Sequence, residues 1–185
     1  MRQTKRDELV KKALEVFYRN GFHATGMDML AAESGVSKTS MYKHFRTKED
    51  LILAVLRLRD ENFRNWIFRR MEDAGDAPKE QLLGMFDALA EWFDEKGYRG
   101  CMFIKASAEY QESDHAIHVQ SSEHKRLLFE HIAELCVRAA VDEPDTLAWQ
   151  LLLLKEGAIV MAVLGRGTDA AHDAKAAARA LLESS

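Results

Sequence analysis

TGMDMLAAESGVSKTSMYKHFRTKED, residues 25–50, holds three helix starts in quick succession. Thr25 with Asp28 three residues on has the spacing of a capping box, which predicts a helix carrying Met27, Leu30 and Ala31 on one face. Ser34-Gly35 ends that helix, because glycine takes the left-handed turn without a Cβ clash. Val36 follows as an apolar plug, and Ser37 caps a second short helix over 38–44. Met41 and Phe45, four apart, face inward. Thr47 with Asp50 forms another capping box and opens a long helix. Two short helices joined by a glycine-containing turn make a helix-turn-helix pattern. The second helix is too short and too polar to be stable alone. Its outward residues, Lys38, Thr39, Ser40, Tyr42, Lys43 and His44, are amine, hydroxyl, phenol and imidazole, a set suited to a nucleic-acid groove.

The chemistry divides along that helix. Side chains at its N-terminal end reach base edges in such motifs, which assigns Lys38, Thr39 and Ser40 to base reading. Lysine can donate to guanine O6 and N7, and a threonine methyl can meet a thymine methyl. Tyr42, Lys43 and His44 suit phosphate oxygens. Thr25, Ser37 and Lys48 stand at helix N-termini, where backbone N–H groups already favour phosphate. Charge agrees with this assignment. Residues 1–48 hold ten basic and five acidic side chains, a net +5. The remaining sixteen basic and twenty-five acidic side chains give −9, within an overall −4. A basic head on an acidic body is the electrostatic footprint of a local DNA-binding module. The basic start, Arg2, Lys5 and Arg6, is open to two readings: solvated charges, the commoner case so near a terminus, or additional phosphate contacts.

The longer stretch NGFHATGMDMLAAESGVSKTSMYKHFRTKEDL, residues 20–51, resembles the DNA-binding domain of TetR-family transcriptional regulators. The features that carry the resemblance are Asn-Gly-Phe ahead of Thr25, Ser-Gly-Val-Ser-Lys before the recognition helix, and Met-Tyr-x-His-Phe-x-x-Lys-Glu-x-Leu through and after it. Thr39 stands where many such regulators have glycine, a departure that bears on which base edge is touched. Further on, Arg-Gly-Cys-Met-Phe at 99–103 and Ala-x-Ala-Glu-Tyr at 106–110 are similar to a segment in one branch of the family. The resemblance implies a repressor that binds double-stranded inverted-repeat operator DNA as a homodimer and is released by a small-molecule effector. It also implies that the chain is not an enzyme.

The rest of the 185-residue chain supports an all-α fold of about nine helices. The head occupies 1–48 and a helical ligand-binding and dimerisation domain occupies 49–185. Two prolines leave room for long helices. Leu9, Val10, Ala13, Leu14 and Phe17 repeat at helical spacing in a first helix over 4–20, ended by Gly21. A fourth helix runs from Lys48 to Met71. Further helices cover 78–96, 101–111, 115–140, 145–164 and 169–182, the last capped by Thr168. The 145–164 helix is apolar around more than one face, too much for a simple surface helix. It resembles the family's dimerisation helix. With the alanine-rich last helix it predicts a four-helix interface between two chains. Trp149, Leu152, Ile159, Ala162, Val163, Ala177 and Leu181 are assigned to that interface. A helical bundle can also enclose an apolar cavity with a few orienting polar groups. Trp66, Phe86, Phe103 and Trp149, with Glu109, Tyr110, His118 and Ser122, are the ligand-binding candidates. Lys155-Glu156 fits either such a cavity or a partly exposed helix edge.

Other chemistries are expected to be absent. His115 and His118 are three apart, yet spacing places no further ligand for a metal beside them. No cofactor is expected. No paired Glu-x-x-His motif, nucleophile–base spacing or glycine-rich phosphate loop supports a helical-bundle enzyme. Cys101 and Cys136 form no disulfide framework. Cys101 opens a helix, where a thiolate is favoured, so a thiol-oxidation switch is the alternative to an effector. MRQTKRDELV contains no secretory h-region. The longest fully apolar run, 158–164, is short for a membrane span, and the expectation is a cytoplasmic protein.

Overall fold

The computed structural model describes residues 4–184. Nine α-helices and no strand are present among the described residues: α1 Lys5–Asn20, α2 Met27–Ser34, α3 Lys38–His44, α4 Lys48–Asp73, α5 Pro78–Asp94, α6 Met102–Glu109, α7 Ala116–Arg138, α8 Pro144–Met161 and α9 Asp169–Glu183. The all-α expectation holds. Arg2 lies outside the described residues.

The chain divides into two compact units. One comprises the chain up to Asn62 together with Met102–His124, and the other Phe63–Cys101 with the chain from Lys125 onward. The head is therefore built into a unit that also holds the first half of α4, all of α6 and the start of α7.

In the first unit, Thr4 and Asp7 cap α1 reciprocally at 3.1 and 3.2 Å. α1 buries Leu9, Val10, Ala13, Val16 and Phe17 and packs on α2. α4 contributes Leu51, Ile52, Val55 and Leu56, all fully buried. Its buried Asp60 meets His124 of α7, Oδ1 to Nδ1, at 2.7 Å. Phe103 of α6 stacks on the His124 imidazole at 3.7 Å between centroids.

In the second unit, α9 packs on α5 and α8. Its alanines bring it close, with Ala171 and Ala178 fully buried. Pro144 occupies the first turn of α8, where its missing N–H costs nothing. α8 ends at Met161 and widens into a π-turn over Ala162–Arg166, with Gly165 at φ 105°. Thr168, expected to cap α9, makes no side-chain cap bond because its own backbone is already helical. Over Pro144–Arg166 the chain is long and apolar enough to cross a membrane by length and composition. Leu147, Ala148, Leu151, Leu152, Lys155, Ala158 and Ile159 on it are buried within the unit, as befits a core helix.

Candidate nucleic-acid interface

The turn between α2 and α3 is fixed by three local devices. Gly35 adopts the left-handed conformation, φ 67° and ψ 16°, and its N–H donates to the Ala31 carbonyl. The buried Ser34 hydroxyl accepts from the Val36 N–H at 3.3 Å. The Ser37 hydroxyl accepts from the Ser40 N–H at 3.2 Å, capping α3 as its sequence predicts. Leu30 and Met41 are fully buried, and Phe45 nearly so. The Arg6 guanidinium lies over the Phe45 ring, 4.9 Å from its centroid.

With Met41 inward, α3 turns Lys38, Thr39, Tyr42, Lys43 and His44 to solvent, and Ser40 is half-buried. The outward face is thus an amine, a hydroxyl, a phenol, a second amine and an imidazole. Lys38 forms an ion pair with the exposed Asp28, so part of its charge is already met. Thr47 and Asp50 cap α4 reciprocally at 3.0 Å each way.

Two members of the expected DNA-contacting set are differently employed. Thr25 is fully buried, and its hydroxyl donates to the Gly21 carbonyl at 2.6 Å. It does not cap α2, whose N-cap is Gly26 and has no side-chain cap bond. The Lys48 ammonium donates to the carbonyls of Phe22 at 3.1 Å and Thr25 at 3.3 Å. Lys48 thus ties the α1–α2 loop to the start of α4, whereas Thr25 closes the loop on itself.

The same loop is held from α6. Glu109 accepts from the N–H groups of Phe22 at 2.9 Å and His23 at 2.5 Å, and its carboxylate lies 3.4 Å from the His23 imidazole. Gly21 leaves room for this approach, since a Cβ there would sit 3.1 Å from Glu109 Oε1. The Lys105 ammonium donates to the Tyr18 carbonyl at 3.4 Å. Tyr110 places its ring 4.6 Å from that of His23 and 4.8 Å from that of His115. Burial, with Glu49 and Glu109 nearby, pushes the Tyr110 phenol up to about 12.

The eight ligand-binding candidates are divided between the units. Glu109 and Tyr110 are engaged as just described. His118 Nδ1 lies 2.9 Å from the Tyr110 carbonyl, Phe103 stacks on His124, and Ser122 is exposed. In the second unit Phe86 is fully buried, Trp66 is half-buried beside Phe63, and Trp149 is exposed and stacked on Phe129 at 4.4 Å. Lys155 corrects the helix-edge reading, because it is completely buried.

Of the residues assigned to the dimer interface, Leu152, Ile159 and Ala162 face the chain's own interior. Trp149, Val163 and Ala177 are exposed and Leu181 is half-buried. Leu153, Val160, Met161 and Leu164 join them in solvent. A groove of about 670 Å³ runs between α8 and α9, lined by Leu153, Leu154, Gly157, Met161 and Leu181 among others.

The remaining chemistry is sparse. Among the described residues no group of three or more His, Cys, Asp and Glu is gathered as a metal site would be. Cys101 precedes α6 and is buried as a free thiol. Oxidation favours exposed thiolates, so this placement does not support the thiol-switch reading. Burial, with Asp145 nearby, pushes the Cys136 thiol up to about 11.

A capped helix-turn-helix with a polar outward face, followed by an all-helical body, defines a DNA-binding regulatory protein. The sequence profile described as "Bacterial regulatory proteins, tetR family" matches residues 9–55. The HTH-type transcriptional regulator YjdC of Escherichia coli (strain K12) is 26% identical over 170 residues, covering 90% of this chain and 89% of YjdC. The HTH-type transcriptional activator FasR of Mycolicibacterium smegmatis is 35% identical over 100 residues, covering 53% of this chain and 45% of FasR. The crystal structure of SCO4454, a TetR-family transcriptional regulator from Streptomyces coelicolor, superposes with a TM-score of 0.89 at 26% identity, covering 97% of this chain and 94% of that one. Residues 9–55 thus form a TetR-type DNA-binding head, and over nearly its whole length the chain is similar to transcriptional regulators of the TetR type.

Proposed function

We propose that this regulator is a cytoplasmic repressor that binds an inverted-repeat operator as a homodimer and is released by a small apolar or amphipathic effector. The observation that carries the reading is α3 itself. Its apolar residues, Met41 and the flanking Phe45, are buried, and its outward side chains are hydrogen-bond donors. Lys38, Thr39 and Ser40 are its base readers, and Tyr42, Lys43 and His44 hold phosphate. Ser37 stays at the cap. Thr25 and Lys48 act one step back, by fixing the loop that positions α2.

The exposed apolar stripe of α8, with the groove beside α9, is the dimer surface of this reading. It pairs with the same stripe of a second copy, as two-fold symmetry requires. Operator occupancy blocks transcription, and an effector that binds the released state better shifts the population away from DNA.

The test is a gel shift and footprint of the full chain on the DNA flanking its own gene. The expected result is a two-fold footprint whose affinity falls steeply with salt, because lysines release counterions as they bind phosphate. A reporter driven by that promoter should be silenced by the protein. A footprint lacking two-fold symmetry would remove the dimer reading, and activation of the reporter would remove the repressor reading.

A further inference from the structure

The second unit holds a buried charge cluster that the DNA-binding reading does not use. Lys155 of α8 is fully buried, and its ammonium donates to Glu156 Oε1 at 2.8 Å. Glu156 Oε2 accepts from Lys125 of α7 at 2.6 Å. Lys125 also reaches the Cys101 sulfur at 3.4 Å. The Lys155 ammonium lies over the Phe63 ring, 5.5 Å from its centroid. Two ammonium groups therefore share one carboxylate, a poor sulfur acceptor and a ring face.

This arrangement is one negative charge short. A buried ion is costly unless it is paired and its hydrogen-bonding capacity is met. If the lysines served only to hold α7 against α8, one ammonium for the one carboxylate would suffice. Burial accordingly pulls the Lys155 ammonium below the usual lysine range, although Glu156 opposes this; Lys125 adds to the fall and Cys101 resists it.

We infer that Lys125 and Lys155 form a subsite for the carboxylate of a small aromatic acid, an inference that rests on the effector-responsive reading above. The incoming carboxylate replaces sulfur as an acceptor for Lys125 and gives Lys155 a second anionic partner. Lys125 and Glu156 form the solvent-accessible side of the cluster. The side chains of Lys125 and Glu156 keep 25% and 20% of their exposure, against 1% for Lys155. The aromatic character of the acid follows from the wall beside the cluster. Phe63 lies 5.5 Å from Trp66 and 5.0 Å from Trp92, and Trp92 meets Tyr98 edge-on at 5.0 Å. Such rings receive another ring in offset or edge-to-face contact.

The experiment is calorimetric titration of the full chain with benzoate, 3-phenylpropionate and 4-phenylbutyrate, each paired with its alcohol. At least one acid should bind, and its alcohol should bind roughly tenfold to a hundredfold more weakly, the worth of one hydrogen bond to a charged group. Lys155→Met should abolish the preference for the acid. Lys125→Gln, at a partly exposed position, supplies the same test if Lys155→Met fails to fold. No binding by any of the three acids, equal binding by the alcohols, or acid binding unchanged in Lys125→Gln would each overturn the subsite. A gel shift on operator DNA keeps the two readings apart. Failure to bind DNA without ligand counts against the regulator reading. Acid binding with no release of DNA supports the subsite and removes the effector role from it.

Discussion

Within α3, neighbouring residues have opposite work. Met41 is fully buried, whereas Tyr42 is 52% exposed. Met41→Ala should therefore destabilise the head by about 2–5 kcal/mol, through lost burial and the cavity left behind. Tyr42→Phe and Lys43→Ala should leave the melting temperature unchanged and weaken operator binding. Lys43→Ala should also flatten the dependence of binding on salt by about one counterion. Chemical denaturation beside a salt series of gel shifts separates these roles. A large loss of stability in Tyr42→Phe with normal DNA affinity would reverse the two faces. Glu156 offers a second test at this scale. Burial pushes its carboxyl up, but Lys155 and Lys125 outweigh that and hold it at about 2, below its ordinary 4.5. A carboxyl lowered on folding stabilises the fold above its unfolded pKa, and that contribution is lost as pH falls through the folded one. Urea melts should show stability draining away between pH 4.5 and about 2. Glu156→Gln should start from lower stability, since it leaves Lys155 unpaired, and should lack this acid-dependent loss.

Elements bounded by local signals are legible in the sequence, and contacts made by distant residues are not. The cap of α3 at Ser37, the Thr47–Asp50 box and the glycine turn at Gly35 are all found where their sequence signatures stand. Thr25 with Asp28 has the same kind of signature and makes no such box. Spacing cannot reveal that the Thr25 hydroxyl is already taken by the Gly21 carbonyl. Glu109 is readable only as a polar group in an apolar region, because its partner Phe22 lies 87 residues away. α8 poses a different difficulty. Apolar residues surround it, so periodicity does not say which ones turn outward, and Leu152, Ile159 and Ala162 prove to be inward. Two element-scale outcomes follow. Gly35→Val should destabilise the head by about 1–2 kcal/mol, the cost of a left-handed backbone for an L-residue. Glu109→Ala should cost about 1.5–3 kcal/mol, because it removes a charged acceptor from two N–H groups. Hydrogen exchange should show the amides of Phe22 and His23 losing protection in that variant, and unchanged protection there would refute the clamp.

A TetR-type head has one α3, whereas the inverted-repeat operator proposed above offers two half-sites, so on that reading operator affinity depends on how two chains meet. The apolar stripe of α8 and the π-turn that follows it supplies the means. Trp149, Leu153, Val160, Met161, Val163 and Leu164 are all exposed in the single chain, with Leu153 at 68% and Leu164 at 73%. Large apolar patches on one chain commonly mark an interaction surface. Stable homodimer interfaces commonly bury upwards of ~2,000 Å², and the groove beside α9 enlarges the surface available for that. Leu153 is the place to test it, because its side chain is exposed in the monomer while Ala162 is already packed inside. Leu153→Glu should leave the chain folded by circular dichroism and sediment as a monomer, since a dimer would have to bury an unpaired carboxylate. The monomer should also lose most of its operator affinity, because two recognition helices must engage half-sites about 34 Å apart or a multiple of that. Sedimentation velocity and a gel shift on the same preparation read the two steps separately. A dimeric Leu153→Glu protein would place the interface elsewhere on the chain. A monomer that binds DNA as tightly as the parent would show that one head suffices and that the operator is not read as a pair of half-sites.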